Sequence, residues 1–212
     1  MLILIAGLVA AVSLILLPRF LGRRQERMLG QYDVLEKRFG LTRRVSQSRW
    51  GKGIGERFSL HGESRGYPLS LYSHFVQRGK LRQEWTSLVF EALFTEDLEF
   101  CIEFEGTDGE ARFDAFDGLG FSWQVDEVRV SASEDLGRVC NDASVAKRFK
   151  YLSQQKRCGA IRLSKGFLEY REVGQMEEEA QRLRFQEAIL LLASLCDALS
   201  LYMSDRRVLV AQ

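Results

Sequence analysis

The chain has 212 residues, Lys+Arg 30 against Asp+Glu 29, and a formal net charge of +1, so it lacks the basic excess of a general nucleic-acid binder. Its four cysteines, Cys101, Cys140, Cys158 and Cys196, include no C-x-x-C pair and imply neither a disulfide framework nor a zinc motif. Scattered thiols of this kind fit a reducing compartment.

Leu2 to Leu17 carries no charge, and Ser13 is its only polar side chain. At about 1.5 Å per residue these sixteen residues cover roughly 24 Å of a hydrocarbon core about 30 Å thick. Phe20 and Leu21 extend the run if Arg19 snorkels. No basic region precedes the run, as a secretory leader requires, and no A-x-A site follows it. Positive charge follows instead, at Arg19, Arg23, Arg24 and Arg27, which favours the cytoplasmic side. The expectation is a single-pass signal-anchor over residues 1–21 in the cell membrane, with the N-terminus outside and the soluble domain cytoplasmic. A cleaved leader and a buried core helix are the alternatives.

The near-zero net charge conceals a division. Residues 19–82 carry a net +10, residues 84–142 a net −13, residues 143–172 a net +6 and the remainder −2. Basic juxtamembrane residues are drawn to anionic lipid. Arg19, Arg23, Arg24, Arg27, Lys37, Arg38, Arg43 and Arg44 are therefore the candidate lipid-headgroup contacts.

Leu21, Met28, Tyr32, Leu35 and Phe39 lie on one helical face, giving a basic juxtamembrane helix over residues 22–45, with Gly40 able to stop it. Ser46 to Gly55 reads as a glycine-rich loop. A soluble domain then occupies residues 46–212. Its first hairpin turns around Glu63 to Gly66, its second at Arg78 to Lys80. Leu98, Phe100, Ile102 and Phe104 alternate with polar residues in a strand that would pair beside Gln83–Phe94. Phe113 to Val130 reads as a loop entering a short strand at Val128–Ser131. A helix over Ala143–Gln154 follows, then a hairpin at Lys165-Gly166, then a long helix over Gln175–Met203. Ala188–Met203 is too short and too polar, at Ser194, Asp197 and Ser200, to be a second span. The fold class is α+β: the N-terminal transmembrane helix, then an antiparallel β-sheet with the long C-terminal helix packed on one face.

Motifs that carry chemistry are missing or incomplete. GKGIG at Gly51 to Gly55 lacks the spacing and the Ser or Thr of a phosphate loop. His61 would lie opposite Leu69 or Ser70, away from His74, and a histidine base beside Ser59 or Ser73 has no geometry set by sequence. The acids from Glu103 to Asp117 fail the EF-hand pattern, leaving solvated faces or a looser site for a cation or basic partner within 84–142. No catalytic residue, metal ligand or cofactor is assigned.

The run Phe113-Asp114-Ala115-Phe116-Asp117, then Val128 to Arg138, then Ile161 to Glu172, resembles uncharacterised bacterial single-pass membrane-anchored proteins. The resemblance covers the second half of the chain. Its motifs are not catalytic, and it implies no functional residue. The function expected is a membrane-tethered cytoplasmic domain, non-enzymatic, engaging a protein or the membrane surface. Its partners would be the lipid bilayer and a membrane-associated protein, with no nucleic acid. The alternative is an enzyme acting on a lipid or small metabolite near the membrane, with a pocket lined by Phe113, Phe121, Trp123 and a histidine.

Overall fold

Two hairpins are set by two-residue turns whose backbones are left-handed at both positions. Arg65 and Gly66 have φ of 54° and 82°, and Lys165 and Gly166 have 52° and 76°. Such turns match the right-handed twist of antiparallel strands. The computed structural model describes residues 22–46, 57–78, 80–95, 98–104, 122–125, 128–131, 139, 143–155 and 159–210. In chain order these form helix α1 (residues 22–39), β1 (Thr42–Ser46), β2 (Arg57–Ser64), β3 (Tyr67–Arg78) and β4 (Leu81–Glu91). A 3-10 turn (Leu93–Thr95), β5 (Phe100–Phe104), β6 (Ser122–Val125), β7 (Val128–Ser131) and α2 (Ala143–Ser153) follow. β8 (Ala160–Ser164), β9 (Phe167–Val173) and α3 (Glu179–Val210) complete the described chain.

The strands make one antiparallel sheet in the order β1-β2-β3-β4-β9-β8-β5-β7-β6. The α+β class, the antiparallel sheet and the long C-terminal helix on one face are as the sequence implied. One expected pairing is corrected: β4 pairs with β9, and β5 pairs with β8 and β7. The link after β4 explains it. Ala92 N–H donates to the Gly166 carbonyl at 2.7 Å, and the Thr95 hydroxyl donates to the Ala92 carbonyl at 2.6 Å. The 3-10 turn so pinned carries the chain past the β8–β9 hairpin instead of reversing it beside β4.

Strand alternation separates the two faces of the sheet. Leu60, Leu71, Leu88, Tyr170, Ile161 and Ile102 form a continuous cross-strand row, all fully buried beneath the helices. α3 supplies Phe185, Ala188, Ile189, Leu192, Leu195, Cys196 and Leu199 to the same core, α2 supplies Val145, Phe149 and Leu152, and α1 supplies Met28, Tyr32 and Leu35. Glu179–Asp205 is long and apolar enough to cross a membrane by length and composition alone. Here it is a core helix, and Arg65 in the β2–β3 turn meets its Asp197 at 2.7 Å.

The expected juxtamembrane helix over 22–45 is corrected at its end. The helix stops at residue 39, Gly40 turns left-handed at φ 65°, and residues 42–46 form an edge strand paired with β2. Thr42–Ser46 has one apolar side chain, Val45, so its sequence carries no strand signature. α1 shares the core of the sheet, so the domain begins before residue 46. The expected loop from Ser46 to Gly55 is corrected at Ser46, which ends β1; its remaining residues, and the expected span over residues 1–21, lie outside the described residues.

Candidate functional site

Two arrangements of polar side chains have enough geometry to be weighed for function. The first is buried between β9 and α3. Glu172, 3% exposed, faces the helices and receives two hydrogen bonds from Arg184, 8% exposed: Nε to Oε1 at 2.9 Å and Nη2 to Oε2 at 2.7 Å. The Tyr170 hydroxyl donates to the same Oε1 at 2.5 Å and accepts from Gly159 N–H at 3.2 Å. Burial raises the pKa of Glu172, opposed by Arg184, Tyr170 and Gln181. Each partner in this cluster is occupied by another, so it holds α3 to the sheet and offers no group to a substrate. A polar chain runs beside it. Tyr32 Oη lies 3.3 Å from Ser73 Oγ, Ser73 Oγ lies 3.1 Å from Thr86 Oγ1, and Thr86 donates to the Gly174 carbonyl at 2.7 Å. This chain ties α1 to the middle of the sheet. Burial pushes the Tyr32 phenol up to about 12.

The second arrangement lies on the opposite face, where no described helix packs. His61 pairs across β2–β3 with Ser70, as its spacing implied. Its Nδ1 lies 2.9 Å from Ser70 Oγ and its Nε2 lies 2.9 Å from Ser59 Oγ. Partial burial, then the Arg44 charge, lowers the pKa of the ring and favours its neutral form. One ring nitrogen then donates and the other accepts. A serine beside a neutral imidazole has the start of a nucleophile–base pair. Acyl transfer also needs donors for the developing oxyanion. β2 lies between β1 and β3, so its backbone N–H groups are committed to the ladder on both sides. Among the described residues the arrangement is a hydrogen-bonded imidazole on a sheet without that second component.

His74 lies across from Trp85, remote in register from His61. Trp85 is buried under the Arg171 guanidinium, whose carbon sits 4.6 Å from a ring centroid. Cys101 and Cys196 are buried, and burial pushes the Cys196 thiol up to about 12, well away from a reactive thiolate. Cys140 and Cys158 lie outside the described residues, as do Phe113 and Phe121. Among the described residues no group of three or more His, Cys, Asp or Glu is arranged to hold a metal ion.

No family model, curated protein or solved structure matches this chain.

The eight candidate lipid contacts divide by environment. Arg24 pairs with Glu177, and Arg43 pairs with Asp33 and, at 2.5 Å, with Glu36. Their charges are spent inside the fold. Arg44 is exposed on β1, on the His61 side of the sheet. Arg38 bonds the neutral Gln186 at 3.1 Å and its guanidinium carbon lies 6.0 Å from the Phe39 ring centroid, with no acid paired to it among the described residues. Arg23 and Lys37 are exposed, and Arg27 is 60% exposed with Glu177 no nearer than 3.9 Å. Arg19 lies outside the described residues. Sequence counting found the cations but not their partners, because Glu177 stands 153 residues from Arg24 and Gln186 stands 148 residues from Arg38.

Proposed function

We propose that this chain is a membrane-tethered, cytoplasmic, non-enzymatic domain that engages the membrane surface and a membrane-associated protein. The observation that carries the reading is the uncharged run Leu2–Leu17 followed by Arg19, Arg23, Arg24 and Arg27. An apolar stretch of this kind partitions into hydrocarbon, and lysine or arginine at its end stays on the cytoplasmic side. Tethering then raises the effective concentration of the domain toward partners on the same bilayer. The buried polar cluster, whose members satisfy one another, is the arrangement expected of a contact that holds α3 to the sheet.

Two measurements on the full chain test this. After alkaline extraction of membranes the protein is expected in the pellet, and a reporter fused to the C-terminus is expected to read cytoplasm. Release into the supernatant, or a reporter active only across the membrane, refutes the reading.

A further inference from the structure

We infer that the solvent-facing stripe of α1 lies along an anionic bilayer surface and so fixes which face of the domain meets the membrane. The inference rests on the tether proposed above and goes beyond it by selecting the contact residues and the orientation. At 100° per residue, Arg23, Arg27, Gly30, Val34, Lys37 and Arg38 fall within about 100° of arc on one side of the helix. All six are exposed. Met28, Tyr32 and Leu35 occupy the opposite side and are buried against the sheet.

The stripe presents four cations, with Glu26 at its margin, and spans about 22 Å from Arg23 to Arg38. Gly30 and Val34 leave its middle free of long side chains and of charge. A row of cations around a small apolar centre suits phosphate headgroups over interfacial acyl chain. The apolar run ends at Leu17, five residues before α1 begins, so the proposed tether delivers this helix to the surface. The helix layer then faces lipid, and the sheet face bearing Arg44, His61 and Tyr72 faces the cytoplasm. This removes Arg24, Arg43 and Arg44 from the lipid contacts: the first two are paired within the fold and the third points the wrong way.

The test uses the full chain reconstituted in phosphatidylcholine vesicles with or without clickable phosphatidylglycerol. A photo-crosslinking amino acid replaces either Val34 or Ser70, on opposite faces of the domain. Position 34 is expected to capture phosphatidylglycerol and position 70 is not. Combining R23Q, R27Q, K37Q and R38Q is expected to cut capture at position 34 at least about tenfold, since each cation removed lowers the docked-to-undocked ratio about fivefold. Arg44→Gln is expected to leave capture unchanged. Ser70 is half-buried against His61 and Arg38 bonds Gln186, while the other altered side chains are exposed, so an unchanged melting temperature is required of every variant to verify its fold. Equal capture at both positions, or capture indifferent to the four substitutions, overturns the inference. Protein that floats with vesicles but captures no lipid at position 34 refutes the stripe while the tether stands. Protein that fails to float refutes both.

Discussion

Arg184→Met removes the cation from a carboxylate that cannot reach water. Glu172 is 3% exposed, and Arg184 closes both of its oxygens with bonds of 2.9 and 2.7 Å. Deleting one member of such a pair leaves a buried charge with only neutral donors, here Tyr170 and Gln181. The expected loss is about 3–5 kcal/mol, which in a domain of this size lowers the melting temperature by about 6–20 °C. The effect also has a pH signature. Burial already raises the Glu172 pKa, and the Arg184 guanidinium is the main group that opposes the rise. A carboxyl whose folded pKa lies above its unfolded value contributes stability that is complete below the unfolded pKa and is lost as pH rises through the folded one. Without Arg184 the folded pKa rises further, so the deficit of the variant is largest at neutral pH and shrinks on acidification. Urea denaturation of the full chain in detergent micelles, from pH 8 down to 5, reads this directly. The double variant Glu172→Gln with Arg184→Met removes the uncompensated charge and is expected to regain more than half of the loss at pH 8. A deficit that is flat with pH, or a double variant no more stable than Arg184→Met, refutes the assignment of a buried, charge-bearing pair.

Gly159→Ala should destabilise by about 1–3 kcal/mol or more in the same denaturation assay. A Cβ there collides with the backbone carbonyl oxygen of Arg171 on the adjoining strand, and no side-chain rotation relieves it. Tyr32 gives an alkaline counterpart. Its folded pKa of about 12 lies above the ordinary 10.0, so its stabilisation is intact below pH 10 and is lost as pH rises toward 12, by about 3 kcal/mol. Tyr32→Phe should cost no more than about 1.5 kcal/mol at pH 7 and should flatten the alkaline fall, measured as denaturation midpoints between pH 9 and 11.

The parts of this fold that follow from neighbouring residues were legible, and those set by distant partners were not. The β2–β3 and β8–β9 hairpins announce themselves through a turn with glycine between alternating strands, and Arg65-Gly66 and Lys165-Gly166 take the positive φ values such turns need. Met28, Tyr32, Leu35 and Phe39 define one face of α1 from spacing alone. That the face meets a sheet rather than lipid depends on Ser73, 41 residues beyond Tyr32. The insertion of the β8–β9 hairpin between β4 and β5 is likewise non-local, because period-two alternation says which side is buried but not which strand lies alongside. β1 was hidden for another reason. An edge strand buries little, and Arg43 on its inner side is neutralised by Asp33 and Glu36 instead of being replaced by an apolar residue.

The same pairing of charges bears on where function can reside. A count of basic residues treats every arginine near the apolar run as equivalent. The structure does not, because packing α1 on the sheet and α3 gives some of those charges acids to satisfy. Arg24 and Arg43 serve cohesion, since each closes a contact between α1 and another segment. Arg38 adds a hydrogen bond to Gln186 on α3, whereas Arg27 reaches Glu177 only at 3.9 Å and the exposed Arg23 and Lys37 have no ion pair among the described residues. Exposed like charges aligned along one helix face repel one another, and the Arg27–Glu177 approach at 3.9 Å and the Arg38–Gln186 bond offset that cost only in part. A surface that keeps them pays a small stability penalty that an external anionic partner would reverse, and this is why the stripe, rather than the arginine count, is the feature on which the orientation of the domain at the membrane rests.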